Sequence, residues 1–165
     1  MAFGAENIIW ACYTAGWWHN QVLDDKGNKT EQYDKLKAMN AEIRALADEY
    51  MKYRRTSTHF IGFENVCGFE TVGQPTVSSL STGVFGGITA DAPILVGQMS
   101  SRSTDGKSAL FVFAADDPDG NAPKDVTVTF GCLRVPAVVG DAELAYDGET
   151  YSITLRSNGA ALITA

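Results

Sequence analysis

Asn7-Ile8-Ile9-Trp10-Ala11-Cys12-Tyr13-Thr14-Ala15-Gly16-Trp17-Trp18-His19 is the stretch whose reading governs everything after it. It is the most apolar and most aromatic run in the chain, and it holds all three tryptophans. A strand with one face in water alternates apolar and polar positions, and Asn7 to Tyr13 do not alternate. A continuous apolar run bounded by a turn signal fits a strand buried on both faces, as in a parallel sheet. Gly16 permits a bend, which leaves the aromatic side chains at the end of the strand.

Past a loop at Val22 to Lys29, Thr30 to Arg55 reads as one long amphipathic helix. Thr30 is a good N-cap, and Glu31 and Asp34 put negative charge in the first turn, where the helix dipole favours it. Leu36, Met39, Ile43, Leu46, Tyr50 and Tyr53 recur in steps of three and four, a single apolar stripe. Lys52, Arg54 and Arg55 suit the last turn. The stripe is too short for a coiled coil and asks for a sheet face. Buried strand, aromatic loop and covering helix make one β/α unit, and one unit cannot close a sheet.

At Thr56 the helical period stops and Gly, Ser, Thr, Val and Pro take over. Strands are expected at Thr58–Phe63, Thr76–Leu80, Gly87–Ile88, Ile94–Ser100, Ser108–Ala114, Val126–Phe130, Glu143–Tyr146, Tyr151–Leu155 and Ala160–Thr164. Turn signals such as Asp105-Gly106, Asp147-Gly148 and Asn158-Gly159 separate them. The expected fold class is therefore α+β: a mainly antiparallel β-sandwich preceded by one buried strand and one long amphipathic helix. Residues 1–57 form the strand and helix unit, and residues 58–165 the sandwich domain.

The net charge of −7 resides entirely in residues 56–165, with five basic and twelve acidic side chains. That sign repels phosphate backbones and anionic bilayers, so neither nucleic acid nor membrane is an expected partner. No apolar run approaches a membrane span, and the N-terminus lacks the basic flank and cleavage-like site of a secretory signal. Cys12, Cys67 and Cys132 are scattered, with no C-x-x-C pair. Buried thiols in a reducing compartment fit this usage, which favours the cytoplasm.

Three constellations bear on chemistry. Tyr13, Trp17, Trp18 and His19 place π faces where a strand meets its loop, and such faces stack on the C–H faces of sugars. The bland counterpart is packing, the commoner fate of aromatic rings. Glu64 and Glu70 lie near aromatics, and Asp24-Asp25 form a solvated turn. Glycoside cleavage needs two carboxyl groups roughly 5 to 9 Å apart across the bond, and none of these sits at the end of a buried parallel strand. Asp117-x-Asp119-x-Asn121 alternates oxygen ligands like the start of a calcium loop but lacks its glycine and its late glutamate, so it reads as an acidic turn. His19 and His59 have no metal-like partner near them in sequence. No catalytic residue, metal ligand or cofactor is assigned.

The run Gly4-Ala5-Glu6-Asn7-Ile8-Ile9-Trp10-Ala11-Cys12-Tyr13, then Gly16-Trp17-Trp18, then Thr30-Glu31-Gln32-Tyr33-Asp34-Lys35-Leu36-Lys37-Ala38-Met39-Asn40-Ala41-Glu42-Ile43, resembles the end of the catalytic barrel in retaining glycoside hydrolases of the β-galactosidase and β-glycosidase kind. There it is barrel strand eight and helix eight. Pro93 to Gly97, Asp105 to Val112 and Leu155 to Ile163 resemble that family's C-terminal β-domain. The acid/base and nucleophile glutamates of the family lie on barrel strands four and seven, which this chain does not contain.

The resemblance implies a non-catalytic C-terminal part of a glycoside hydrolase, inactive alone. It supports the barrel and lends Trp17, Trp18 or, less readily, Tyr13 to a sugar site. A self-standing carbohydrate-binding β-module is the alternative, and a small complete glycosidase using Glu64 or Glu70 is a second. The expected partners are carbohydrate, bound weakly or not at all by the chain alone, and a second copy, paired through residues 7–18 and the helix.

Overall fold

A computed structural model of the chain describes residues 1–10, 21–63, 76–116 and 122–165. The fold class is the expected one: one helix and a two-sheet β-sandwich. Helix α1 spans Glu31–Tyr50. The strands are β1 (Tyr53–Ile61), β2 (Thr76–Val77), β3 (Leu80–Thr82), β4 (Phe85–Ala90), β5 (Ile94–Ser101), β6 (Ser108–Ala114), β7 (Val126–Cys132), β8 (Ala137–Gly140), β9 (Leu144–Tyr146), β10 (Tyr151–Leu155) and β11 (Ala160–Thr164). They form a six-stranded sheet in the order β2-β1-β5-β6-β11-β8 and a five-stranded sheet in the order β3-β4-β7-β10-β9. Only the β1–β2 pair is parallel among the described strands.

The inner faces of the two sheets meet in one apolar core. Ile94, Val96, Leu110, Val112 and Ile163 of the larger sheet face Ile88, Val126, Val128, Phe130 and Leu155 of the smaller one. Phe130 sits at its centre, edge-on to Phe85 at 6.1 Å and stacked on Tyr151 at 5.9 Å. The smaller sheet shows one wet face: in β10, Ile153 and Leu155 point inward while Thr154 is exposed. That is the alternation expected of a half-solvated antiparallel sheet.

The larger sheet has no such wet face at its centre. In β6, Leu110, Val112 and Ala114 enter the inter-sheet core, while Ala109 and Phe111 turn the other way under α1. An apolar run on both faces of a strand is thus found at β6. Its cause is a helix on one side and a second sheet on the other.

Two expectations need correction. The helix ends at Tyr50, with Met51 as its cap, and Tyr53 starts β1. Tyr53 falls in register with the helical stripe, but Thr56 and Thr58 are β-branched, and the segment finds a full antiparallel partner in β5. Lys52, Arg54 and Arg55 therefore do not close the helix, and β1 runs across residue 57. The second correction concerns the opening stretch. Asn7 to Trp10, its described part, form no strand and lie exposed, Ile9 at 90% and Ile8 at 47%. Nothing among the described residues pairs with this backbone, so its apolar character does not translate into burial within its own chain.

Candidate functional site

The outer face of the larger sheet carries the most structured concavity. It is a groove of about 760 Å³ between α1, the first residues of the chain, and the strands β5, β6 and β11. Ile43, Leu46, Leu95, Phe111 and Phe113 supply its apolar walls. The volume lies within the range of ligand pockets, which are mainly apolar with a few polar groups.

How α1 sits explains why the groove is open. Only Leu46 and Tyr50 are buried on the helix, both in its C-terminal half. Met39, one turn before Ile43, is 45% exposed. The helix approaches the sheet closely at Gly140, where an added Cβ would lie 3.1 Å from Leu46 Cδ2 and 2.9 Å from the Ala160 carbonyl oxygen. Gly140 also has φ of +123°, a conformation that side chains disfavour. Farther toward the N-terminus of α1 nothing described lies beneath the stripe.

At the mouth of the groove Arg156 bridges two carboxylates. Its Nη2 binds Glu42 of α1, and its Nε lies 3.8 Å from Asp141, just past β8. All three side chains are at least half exposed, so this pairing holds the helix end to the sheet edge only modestly. The two carboxylates share one guanidinium, which makes them parts of a clasp and not an acid and base poised for proton transfer.

The first six residues form a strap across the same face. Ala2 is buried, and its carbonyl accepts a hydrogen bond from Thr58 Oγ1 at 2.9 Å. Tyr50 donates its hydroxyl to the Met1 carbonyl at 2.9 Å. Burial first, and then the Glu6 carboxylate, push the Tyr50 hydroxyl above its ordinary value, which keeps it a donor. A Cβ on Gly97 would lie 2.7 Å from the Ala2 oxygen, so the strap requires glycine in β5. Glu6 pairs with Arg102, whose Nε donates to the Tyr53 carbonyl at 2.9 Å. Phe3 packs against Phe60 with ring centroids 6.1 Å apart.

The sugar-binding candidates Tyr13, Trp17 and Trp18 lie outside the described residues, as do His19, Glu64, Glu70, Asp117, Asp119, Asn121, Cys12 and Cys67. The residues on either side of the first aromatic group are described. Trp10 is 40% exposed. Beyond the group, Thr30 Oγ1 donates to the Gln21 carbonyl at 2.6 Å, and Leu23 bridges Lys29. Asp24 is a turn residue, accepting from the Lys26 and Asn28 amides and the Asn28 side chain. Those bonds, led by the Asn28 side chain, hold its carboxyl below the usual range.

His59 faces Ser57 on β1, Nε2 to Oγ 2.8 Å, and Ser57 donates to Gln98 Oε1 at 2.9 Å. With its hydroxyl proton given to Gln98, Ser57 accepts from His59, the reverse of an activated nucleophile. Cys132 is a half-buried free thiol. Among the described residues no group of three or more His, Cys, Asp or Glu side chains is placed to hold a metal ion, and no helix is long and apolar enough to cross a membrane.

Sequence reasoning missed the clasp and the strap site. Gly97 was the available signal, a glycine inside an otherwise apolar strand, which marks a close backbone approach. No protein-family model matches the chain, and no curated protein or solved structure matches it significantly.

Proposed function

We propose that the chain is the non-catalytic C-terminal part of a glycoside hydrolase. Its sandwich supports the catalytic barrel, and its opening segment delivers Trp17 and Trp18, with Tyr13 behind them, to a sugar site. One observation carries the reading: the apolar band running from Met39 and Ile43 on α1 to Ile8, Ile9 and Trp10 has no cover among the described residues. A contiguous exposed band of this kind marks a surface meant for another body. It fits a strand and helix that belong against further β/α units. The sequence resemblance supplies the identity of that body.

Assays on aryl glycosides and sugar titrations followed by tryptophan fluorescence test the proposal. The purified chain is expected to turn over no glycoside and to give little response to sugars. Turnover lost in Glu64→Gln or Glu70→Gln would instead identify a small complete glycosidase. Saturable binding at micromolar sugar would identify a carbohydrate-binding module. For the isolated chain the bare band is also the surface for a second copy, giving a two-fold dimer through residues 7–18 and α1.

A further inference from the structure

The strap and its site are complementary in detail, and that complementarity does not require both to belong to one molecule. Met1 and Ala2 give their carbonyls to Tyr50 and Thr58, Ala2 fits over Gly97, and Glu6 reaches Arg102. Immediately past Glu6 the chain turns bare, with Ile9 at 90% exposure. A docked strap followed by an exposed apolar hinge is the arrangement from which identical elements exchange between copies, because each hydrogen bond given up within one chain re-forms between the two.

We propose that the isolated chain dimerises by exchanging residues 1–6, the strap of each copy occupying the Thr58–Gly97 site of the other. This rests on the reading that a second copy pairs through the opening segment, and it names what is exchanged. Two features favour exchange over simple side-by-side pairing. The strap site is already shaped for its occupant, so no new complementary surface is needed. Exchange also leads the two Ile8-Ile9-Trp10 segments past each other about the two-fold axis, so that each covers the other's apolar side chains. Residues 7–20 can span up to about 50 Å when extended, ample for a crossing between two sites on touching copies.

Two full-length variants test this as a complementing pair. Gly97→Val blocks the site, since its Cβ would meet the Ala2 oxygen at 2.7 Å. Ala2→Asp spoils the strap, placing a carboxylate at a position that is 5% exposed. Light scattering and native mass measurement should show the wild-type chain as a concentration-dependent dimer and each variant alone as a monomer. An equimolar mixture should form a complex with one copy of each, because the intact strap of Gly97→Val enters the intact site of Ala2→Asp.

Far-UV circular dichroism confirms that each variant is folded. If Gly97→Val does not fold, Tyr50→Phe combined with Thr58→Val takes its place. That pair removes both donors to the strap carbonyls and leaves the inter-sheet core untouched. Dimers that persist in both single variants would overturn strap exchange while leaving pairing through the apolar band in place. A wild-type chain that stays monomeric at every concentration would overturn both.

Discussion

The two faces of the six-stranded sheet are covered by different means. Its inner face meets a second sheet, and the side chains between them are almost wholly apolar and close to zero exposure. Its outer face meets half a helix and a six-residue strap, held by hydroxyl-to-carbonyl bonds, a clasp of exposed charges and two glycines that permit close approach. The inner layer is complete in itself. The outer layer is specific where it touches and open where it does not, as expected of a layer built to be finished by another body.

Truncation in the inner layer should produce the largest effect. Phe130 has no exposure and touches rings on both sides. Phe130→Ala is expected to cost about 3–5 kcal/mol in urea unfolding, as large aromatic truncations in closed cores do. Met39→Ala on the open part of α1 is expected to cost less than about 0.5 kcal/mol, as for surface positions in general. Similar losses at the two positions would mean that the outer layer is as closed as the inner one.

Leu46→Ala falls between these limits. Leu46 is 5% exposed but borders the groove, so the expected cost is about 2 kcal/mol, at the low end for a buried leucine. The loss should fall unevenly. Helical dichroism should drop well before the sandwich unfolds, because α1 has few other anchors. A single cooperative transition in which both signals move together would show that helix and sandwich are one unit, and would erase the contrast between the layers.

The same contrast accounts for what could be read from the sequence. Ser108–Ala114, Tyr151–Leu155 and Ala160–Thr164 were legible to the residue because Asp105-Gly106, Asp147-Gly148 and Asn158-Gly159 punctuate them. β8 was missed: Ala-Val-Val-Gly after Pro136 is short, and its ends are exposed at a sheet edge, so it carries little apolar periodicity. The helix overran because Tyr53 continues the stripe, and periodicity does not register where a strand partner becomes available. At Asn7 to Trp10, a run apolar on both sides says that the segment wants cover, not that its own chain supplies it. The candidate site was only partly legible. The aromatic cluster stands out by composition, whereas the strap site depends on Gly97, Thr58 and Tyr50 meeting across the fold.

Thr58→Val probes the strap alone. It removes the donor to the Ala2 carbonyl in a buried setting and keeps the shape of the side chain, for an expected loss of about 1 kcal/mol. Hydrogen exchange should speed up at Gly4, whose amide donates to the Met1 carbonyl, with no change in β6 or β7. Protection lost across the whole sheet would mean that the strap helps to hold the sandwich together and does not simply lie on it.

The smallest effect is expected at the β9–β10 hairpin, at the edge of the five-stranded sheet and away from both covered faces. Asp147 accepts from the Thr150 amide at 2.7 Å, the Glu149 amide at 2.9 Å and the Thr150 hydroxyl at 3.1 Å. These bonds, the Thr150 amide foremost, hold its carboxyl below the ordinary value of 3.8. A carboxyl with a lowered folded pKa binds its proton more readily in the unfolded chain. Its stabilising contribution is therefore present in full above the unfolded value and is lost as pH falls through the lower folded one. Asp24 and Asp105 are lowered in the same sense, but they act equally in wild type and variant and cancel in the comparison. Asp147→Ala should thus melt slightly below wild type at neutral pH, by less than Thr58→Val. The gap should stay constant down to about pH 4 and close as the solution becomes more acidic. Asp147→Asn, which keeps an acceptor but no charge, should show a smaller gap that depends on pH in the same direction. A gap that widens in acid would place the hairpin's stability elsewhere, most directly in the Tyr146–Tyr151 ring pair at 4.6 Å.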